Sequence, residues 1–510
     1  MRKSWLLAFV FIALPVVTAA QITVIHVPSG VPDIQSAINQ AAGIVGGGTP
    51  SDVLIEVAPG TYSPAGGPPF IVDGINNPAF TVTLRAAQGA MVTILDASNI
   101  ANNVIRGFGT RNLVIDGFTI RNRIPDQTNF VGRGMVFFDS SGVTVQNCNF
   151  DTTFEGMRFR FNDPTLGGRI QVIHNTGVSG QGTDLTAASF VFGQAATLIT
   201  FYPPGVSPTG EPKFIVEHNV FRSNASVVRF LNQNFDINGN FIGSFSNGSL
   251  EMTGNDLSSS IVAGFNIIGG HGHLIGANRI HDGGSGGFFQ SAASGIIANN
   301  VIFNNAEHGL MVFNLGPGSQ DFSAEGTSIL HNTIVKNGGT GILYADLVGG
   351  IHNFLPTVYN NVMTFNDAGG AAAVEASAST FAFIPVSLNL AGDDNYGNTL
   401  RNLGVNFFTF SYVGITNPGA AAPNYSGVLN TGLDLSVVPG FDAPQEQDFS
   451  LMPNSMLVNA GITSRPTPFQ DFAGNLRDAH PDIGAFEFVP TPVLNVRSNP
   501  SATRRRPNSQ

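Results

Sequence analysis

Arginine is concentrated in one short stretch of this chain. The stretch runs from residue 106 to residue 169 of a protein with net charge −11, and it contains eight arginines: Arg106, Arg111, Arg121, Arg123, Arg133, Arg158, Arg160 and Arg169. Guanidinium groups neutralise the carboxylates of acidic sugars, and a base beside a neutralised carboxylate can start elimination from a uronic acid polymer. The stretch therefore indicates a site for an acidic glycan. Acidic side chains between the arginines could also hold Ca²⁺ between protein and polymer.

Roles in this chemistry fall to two sets of residues. The candidate catalytic residues are Arg158, Arg160, Asp151 and Glu155. The candidate substrate-binding residues are Arg121, Arg123, Arg133 and, from a later loop, Tyr202. The alternative is an outer face of solvated arginine–carboxylate pairs, which would contribute little to stability. Both interpretations stay open at the level of the sequence.

A histidine-rich segment is the second candidate for chemistry. His271 and His273 are its candidate catalytic residues, and Gly270-His271-Gly272 resembles the Gly-His-Gly element of polygalacturonases. Hydrolysis of a glycosidic bond uses two carboxyl groups placed across that bond. The sequence shows no such pair, since Asp393-Asp394 come long after the histidines. The alternative interpretation is a turn between two strands.

Recurring asparagines indicate the scaffold that must position these residues. Seven asparagines are each followed within two positions by an aliphatic or aromatic residue: Asn219, Asn240, Asn266, Asn278, Asn300, Asn332 and Asn361. Most lie 21 to 32 residues apart, which predicts a solenoid built from short β runs. The step of 12 after Asn266 is too short for a whole turn, so one of its two copies lies on another face. We expect these asparagines to occupy bends, where they tolerate left-handed backbone geometry and bond neighbouring turns.

The chain around these asparagines alternates with the period of a β-strand. The predicted runs are Ile22–Val27, Asp52–Val57, Phe80–Leu84, Val92–Leu95, Leu113–Ile115, Phe118–Ile120, Met135–Phe137 and Val143–Val145. Alternation turns every second side chain inward, and the 41 phenylalanines predict stacked aromatic columns there. Between the first two runs, Ile34, Ala37, Ile38 and Ala41 share one helical face. A short helix is therefore expected to cover the open N-terminal end of the solenoid.

Composition limits the compartment and the partners. Arg2 and Lys3 precede an apolar stretch that ends in small residues, which predicts an export signal over residues 1–20. No later segment is long and apolar enough to span a membrane. The acidic balance argues against nucleic acid as a partner. Cys148 is the single cysteine, expected to be buried, and the scattered histidines give no metal-ligand spacing.

These residues together resemble a known superfamily. Pro32 to Ile38, Val57 to Tyr62 and Val114 to Asn122 are similar to the cap, first strand and one coil of right-handed parallel β-helix, or pectin-lyase-like, proteins. The resemblance implies an all-β fold, a right-handed parallel β-helix solenoid with an N-terminal capping helix. That superfamily contains lyases, hydrolases, epimerases and non-catalytic surface proteins, so the fold does not choose among them.

The C-terminal part carries a more specific pattern. Asp448 to Leu451, Asn459 to Gly461, Asp471 to Arg477 and Pro481 to Glu487 follow one another and resemble the closing domain of choice-of-anchor Q proteins. The expected organisation is a signal peptide over 1–20, a cap and first strands over 21–79, coils over 80–440, a closing segment over 441–489 and a disordered tail over 490–510. Inserted loops are expected at 177–212 and 367–430.

Two functions remain open from the sequence. One is a secreted or cell-surface protein that acts on or binds extracellular polysaccharide, and that, if it is an enzyme, is a lyase on an acidic glycan rather than a glycoside hydrolase. The other is a non-catalytic, adhesin-like surface protein. Either would be a monomer whose partner is a polysaccharide, with Ca²⁺ as the one cofactor considered.

Overall fold

Three long parallel β-sheets form the body of this protein. They are seen in a computed structural model that describes residues 22–490 except 101, 125–131, 153, 180–187, 193–208, 224–225, 236–240, 245, 259–260, 291–292, 315–326, 340, 347–356, 365, 367–371, 379–386, 392–398, 403–408, 414–427, 431–438 and 462–466. The predicted signal peptide, the predicted tail beyond residue 490, Tyr202 and Asn240 lie outside the described residues. No helix in the described ranges is long and apolar enough to cross a membrane.

Most coils contribute one strand to the first, second and third sheet in turn, while the described parts of the first and last coils contribute to fewer sheets. The first sheet contains the strands Ile22–Val27, Asp52–Val57, Val82–Ala86, Arg111–Asp116, Ser141–Gln146, Gly168–Ile173, Pro212–Glu217, Ser249–Thr253, His273–Gly276, Gly295–Ala298, Ser328–Leu330, Thr357–Tyr359, Ser387–Ala391, Thr409–Val413 and Val428–Asn430. The second contains Gly60–Tyr62, Thr93–Asp96, Thr119–Asn122, Asn149–Thr152, Thr176–Ser179, Val220–Ser223, Asp256–Ser258, Arg279–His281, Val301–Phe303, Thr333–Val335 and Val362–Thr364. The third contains Phe70–Ile71, Ile105–Phe108, Met135–Phe138, Met157–Arg160, Ala188–Phe192, Ser226–Leu231, Ala263–Ile268, Ser285–Gln290, Leu310–Asn314, Ile342–Asp346, Ala372–Ala378 and Thr399–Asn402.

Strand predictions made from alternation are confirmed to within a few residues. Strands Ile22–Val27 and Asp52–Val57 have the predicted bounds, and the other predicted strands differ by at most two positions at either end. The two segments expected to be inserted loops are not wholly so. Thr176–Ser179 and Ala188–Phe192 continue the second and third sheets, and five further strands between Ala372 and Asn430 extend the first and third.

A ladder of asparagine side chains joins successive coils where the chain passes from the first to the second sheet. In each step, the Oδ1 atom of one asparagine accepts the backbone N–H and the side-chain N–H of its counterpart on the preceding coil. Asn278 donates in this way to Asn300 Oδ1 from both nitrogens at 3.0 Å, and its Nδ2 atom also donates to Met252 O at 2.8 Å. The ladder comprises Asn175, Asn219, Asn255, Asn278, Asn300, Asn332 and Asn361.

The ladder confirms most of the predicted asparagine spacing and corrects its backbone geometry. Asn266 lies on the third sheet, as the short step of 12 residues required. The prediction that the ladder asparagines adopt left-handed geometry is wrong. The residue before each of them does so, with φ of 54° at His218, 52° at Ala277 and 56° at Asn299. The turn therefore has two residues, of which the first reverses the chain and the second joins the coils.

Aromatic rings fill the interior in a column, as predicted. Phe137 and Phe159 stack with centroids 5.1 Å apart and planes 9° from parallel. The column continues through edge-to-face contacts from Phe159 to Phe214 and from Phe214 to Phe230. Cys148 is also buried, as expected, and burial raises the pKa of its thiol to about 12, which leaves it unreactive.

The ends of the solenoid are treated differently. Helix Ile34–Val45 buries the predicted apolar face, and the Asp33 carboxylate caps it by accepting the N–H of Ser36 at 2.8 Å. The described parts of the closing segment, residues 441–461 and 467–489, pack against the outer face of the second sheet. Phe449, Leu457 and Ile483 cover Val301, Phe303 and Val335 there, so this part of the second sheet is closed to solvent.

Candidate functional site

The eight arginines of the sequence cluster do not share one face. Arg106, Arg158 and Arg160 lie on strands of the third sheet, and Arg133 immediately precedes another of its strands. The remaining four lie elsewhere. Arg121 and Arg123 lie on and just after a second-sheet strand, and Arg111 and Arg169 lie on first-sheet strands. Residues at similar sequence spacing fall on different sheets because each coil turns the chain through all three.

Strand register brings three arginines into one row on the third sheet. Arg106 pairs with Val136, and Val136 pairs with Arg158. Two pairings further along the row, through the strand Ala188–Phe192, comes Arg229. Arginine thus recurs on every second coil of this row. Arg229 was not among the residues predicted from the sequence, because it lies sixty residues after Arg169. The strand Ala188–Phe192, in a segment that was predicted to be an inserted loop, places Arg229 in the same row as Arg158.

A second row runs beside the first on the same outer face. Phe108 pairs with Phe138, and Phe138 pairs with Arg160. The Phe108 side chain is 56% exposed, and the Arg160 guanidinium lies 6.0 Å from the Phe138 ring centroid. We refer to the two rows, Arg106–Val136–Arg158–Val191–Arg229 and Phe108–Phe138–Arg160, as the third-sheet face. It combines guanidinium groups with exposed aromatic rings, which are the two kinds of group that hold acidic sugars.

Glu155 supports this face from within. Its carboxylate is fully buried, accepts from Arg133 Nε at 2.6 Å, and forms a second ion pair with Arg158. Arg133 also lies with its guanidinium 4.9 Å from the ring centroid of Phe154. Burial lowers the pKa of both Arg133 and Arg229, and Glu155 partly opposes that shift. The carboxylate therefore fixes the arginines by charge and hydrogen bonding, which is a positioning role.

Arg121 and Arg123 form a separate, more exposed group on the second sheet. Asp151 accepts from Arg123 Nε at 2.9 Å and from Arg121 Nε at 3.3 Å, and Arg121 also approaches Asp96 at 3.6 Å. Contact with Asp151 raises the pKa of Arg123. This arrangement matches the alternative predicted from the sequence, a face of surface ion pairs. It is distinct from the third-sheet face, where Glu155 is buried.

On the four coils after Arg229 this row of the third sheet carries no charged residue. The row continues from Arg229 to Asn266, then to Phe288 and Met311, which are all partly exposed. Gln290 donates to Asn266 Oδ1 at 2.8 Å and holds that amide in place. A basic stretch of this row is therefore followed by a stretch of amide and apolar side chains from Asn266 to Met311.

The histidines proposed from the sequence lie apart from the third-sheet face. His273 is buried in the aromatic column, where its Nδ1 atom accepts from Leu250 N at 3.0 Å and its Nε2 atom donates to Gly269 O at 2.9 Å. Burial lowers its pKa to about 4. Since both ring nitrogens are bonded inside the core, we leave His273 out of the proposed site. His271 is exposed at the preceding turn and contacts Ser246 O.

His281 belongs to a cluster on the second sheet. Its ring nitrogens lie 2.9 Å from Asp256 Oδ1 and 2.7 Å from Asp282 Oδ2. Burial alone would lower the pKa of His281, but the two carboxylates together raise it. The ring stacks on Phe303, with centroids 4.9 Å apart, at the border of the closing segment. The His281 cluster therefore stabilises the part of the second sheet against which the closing segment packs.

The C-terminal motif forms a buried network rather than a reactive site. Arg477 donates to Glu487 at 3.0 Å and to Asn299 Oδ1 at 3.0 Å. Asp482 accepts the backbone N–H of Asn459 at 2.6 Å, while burial raises its pKa to about 6. The Arg477–Asn299 bond links the closing segment to the turn before a ladder asparagine. These charged residues therefore attach the segment to the solenoid.

A groove of about 560 Å³ lies between the first sheet and the closing segment. Leu274 and Ile296 contribute exposed apolar surface to its wall. Asp471 is the one charged side chain among the described residues that line it, and that carboxylate already accepts from Asn475 and from Glu487 N. The groove has no described cation to meet an acidic ligand.

Ca²⁺ finds little support among the candidate carboxylates. Within the described ranges no group of three or more histidine, cysteine or acidic side chains is placed to hold a metal ion. Asp151 and Glu155 are each engaged by two guanidinium groups, which occupy the oxygens that Ca²⁺ would need.

Among the comparisons with known proteins, a family model supports the fold. The family model described as a right-handed beta helix region matches residues 218–384. A search of curated proteins finds no match. The A-module of mannuronan C-5 epimerase from Azotobacter vinelandii is 14% identical, with a TM-score of 0.37, 77% of this chain and 95% of that chain covered. A periplasmic alginate epimerase is 12% identical, with a TM-score of 0.35 and coverage of 71% and 77%.

A third similar structure is the catalytic unit of a thermostable α-1,3-glucanase from Streptomyces thermodiastaticus. It is 14% identical, with a TM-score of 0.39, 78% of this chain and 65% of that chain covered. These likenesses are too distant to carry an activity across. The parallel sheets, the single capping helix and the family model agree, and the chain is a right-handed parallel β-helix.

Proposed function

We propose that this protein binds an acidic polysaccharide along the third-sheet face. The observation that carries the proposal is the row in which Arg106, Arg158 and Arg229 recur in register beside the partly exposed rings of Phe108 and Phe138. A polymer lying along the solenoid axis would meet one guanidinium after another. Charge-assisted hydrogen bonds to carboxylates are the stronger kind, and the planar arginine group suits them geometrically.

Cleavage by elimination is a second candidate that the same face favours. Elimination needs the substrate carboxylate neutralised and a proton acceptor beside the adjacent carbon. The arginines supply the first requirement. Glu155 is held by two guanidinium groups and is therefore a poor acceptor, and Arg133 is buried in the same ion pair, so the described residues of this face supply only the first requirement. An exported, extracellular location, as predicted from residues 1–20, would give the protein access to such polymers.

Binding and cleavage can be measured together. Calorimetric titration with pectate, alginate and chondroitin would detect binding, and absorbance of new unsaturated ends would detect elimination, each with Ca²⁺ or with EDTA. Neutral dextran serves as the control polymer. We expect at least one acidic polymer to bind and dextran not to bind. Binding without new unsaturated ends would identify a non-catalytic protein, and no binding to any acidic polymer would contradict the proposal.

Arg158→Gln tests whether the third-sheet face is the site. Loss of a charged hydrogen-bonding partner should weaken binding about tenfold to a hundredfold. Arg85→Gln is the matched control, because Arg85 lies on the first sheet and pairs with Glu56 at 2.8 Å. Arg106→Gln is a second test that is less demanding on folding, since that side chain is 42% exposed. Equal binding by all four proteins would place the polymer elsewhere.

A further inference from the structure

The spacing of the arginines defines the ligand more closely. We propose that the polymer presents one acidic group to the protein on every second sugar. This inference rests on the proposed function. Neighbouring strands in a sheet lie about 4.8 Å apart, so arginines on alternate coils are about 10 Å apart along the axis. That distance holds from Arg106 to Arg158 and again from Arg158 to Arg229. It corresponds to the length of a disaccharide unit in an extended polymer.

The position between the first two arginines excludes a denser pattern of charge. Val136 occupies the row on the intervening coil, and its side chain is 3% exposed. That position therefore offers a ligand neither a cation nor accessible surface, and an acidic group opposite it would lose water without gaining a partner. A neutral sugar, or an acidic sugar whose carboxylate points away from the sheet, meets no such cost there. The row therefore alternates between positions that favour and disfavour an acidic group.

Ion pairs with protein carboxylates hold the arginines in place, so the spacing of the arginines is fixed by the fold. Arg106 pairs with Asp73 at 2.9 Å, and Arg158 pairs with the buried Glu155. Arg229 lies within electrostatic range of the same glutamate. Side chains ordered before binding lose less entropy when the ligand arrives, so a ligand of matching period gains affinity over one that must rearrange them.

Two kinds of polymer offer this pattern of charge. One is an alternating copolymer of a uronic acid and a neutral amino sugar. The other is a uronic acid homopolymer that forms a twofold ribbon, in which successive carboxylates point to opposite sides. Both present acidic groups to one face at every second sugar. A polymer that turns through a different angle at each sugar does not keep that period against a straight row.

The length of the row limits how many acidic groups of the polymer can contact an arginine. From Arg106 to Arg229 there are four coil steps, or about 19 Å, so three acidic groups on alternate sugars span about five sugars. Beyond Arg229 the row continues with Asn266 and Phe288, which offer no cation. Affinity should therefore rise with each disaccharide until three acidic groups are engaged, and then level off.

Oligosaccharides of defined length test the inference. Calorimetry would compare unsulfated chondroitin oligosaccharides, mannuronate oligosaccharides and poly-glutamate peptides of equal charge against the wild-type protein, Arg106→Gln, Arg229→Gln and Arg85→Gln. We expect about a tenfold gain for each added disaccharide up to three acidic groups. Arg106→Gln and Arg229→Gln should each remove one such step, and Arg85→Gln none. Thermal melting of each variant would confirm that it is folded.

The outcomes separate this inference from the proposed function. Stepwise binding of chondroitin fragments alone would assign an alternating copolymer, and stepwise binding of mannuronate fragments alone would assign a ribbon homopolymer. Either result, or both together, supports the inference. Affinity that follows total charge, with poly-glutamate binding as tightly as the sugars, would overturn it and leave acidic-ligand binding intact. No binding of any acidic oligosaccharide would overturn the proposed function itself.

Discussion

Glu155 shows that the role of a side chain depends on where the fold places it. The sequence offered it as a candidate catalytic carboxylate among many charged neighbours. The structure instead places it at the centre of an arginine cluster, fully buried and bonded to Arg133 and Arg158. Its partners could not be deduced from sequence spacing, because Arg133 lies on the preceding coil and the number of residues per coil varies. Charge composition predicted the kind of site but not which charges meet.

Replacing Glu155 tests its positioning role. Glu155→Gln removes the negative partner of the buried Arg133 and the partly buried Arg158, and breaking a buried ion pair costs about 3–5 kcal/mol of unfolding free energy. Denaturant unfolding would measure the loss. Glu56→Gln is the control, because the Glu56–Arg85 pair is at the surface and should contribute less than about 1 kcal/mol. If the two substitutions cost the same, Glu155 does not organise the arginines.

His273 should make stability depend on pH. Its pKa is lowered in the folded protein to about 4 from an ordinary value of 6.5. The unfolded chain therefore binds a proton below pH 6.5 while the folded protein does not, and folding loses stability as pH falls from 6.5 to about 4. The full loss from this side chain is roughly 3 kcal/mol.

His273→Gln provides the comparison, since glutamine can both accept from Leu250 N and donate to Gly269 O but does not titrate. We expect denaturant unfolding between pH 7 and pH 4 to show a smaller loss of stability for the variant. Identical pH profiles for the two proteins would mean that His273 is not buried in its neutral form.

The repeat of asparagines was predicted correctly from the sequence, but the left-handed residue of each turn and two members of the ladder were not. The repeat of asparagine with apolar residues was sufficient to predict stacked coils. Asn175 lies outside the repeat because Thr176 and Gly177 follow it, whereas Asn255, with Leu257 two positions on, fits the repeat and was missed. The left-handed position was also misassigned by one residue. Sequence shows that a bend contains asparagine, whereas the backbone decides which of two adjacent residues turns the chain.

A ladder residue should stabilise the protein far more than a surface asparagine. In Asn300→Ala the Asn278 N–H groups lose their acceptor at 3.0 Å, and the bonds from Asn300 Nδ2 disappear. Leaving a buried donor without a partner costs about 1–3 kcal/mol, so the total loss should be at least about 3 kcal/mol. Asn149→Ala, on the outer face of the second sheet, should cost less than about 1 kcal/mol. If Asn300→Ala and Asn149→Ala have comparable midpoints in urea unfolding, the ladder does not stabilise the protein as we expect.

At the scale of the whole molecule, the order of the parts was predictable and their docking was not. The motifs from Asp448 to Glu487 marked a closing segment in the sequence. Nothing in them indicated that it would lie on the flank of the second sheet rather than across the open end. The contact depends on Val301, Phe303 and Val335, which read in sequence as ordinary strand residues. These outward-facing positions carry apolar rather than polar side chains where the closing segment covers them, and that pattern is the sequence signal for the contact.

Arg477 should control the attachment of the closing segment. Arg477→Ala leaves Glu487 buried without its guanidinium partner and removes the bond to Asn299. We expect limited proteolysis to cut within residues 441–489 much faster than in the wild type, while the β-helix stays intact. Lys336→Ala is the control, since it removes a single contact with Pro444 O at 3.0 Å. Simultaneous degradation of helix and segment would show that the two unfold as one unit.

The central claim is that an acidic polymer lies along the third-sheet face. A crystal structure of the protein with a bound acidic hexasaccharide tests it most directly. The account predicts sugar density parallel to the solenoid axis, with carboxylates contacting Arg106, Arg158 and Arg229 and sugar rings against Phe108 and Phe138. Density in the groove beside Leu274 and Gln470, with the arginines in contact only with protein carboxylates, would contradict it.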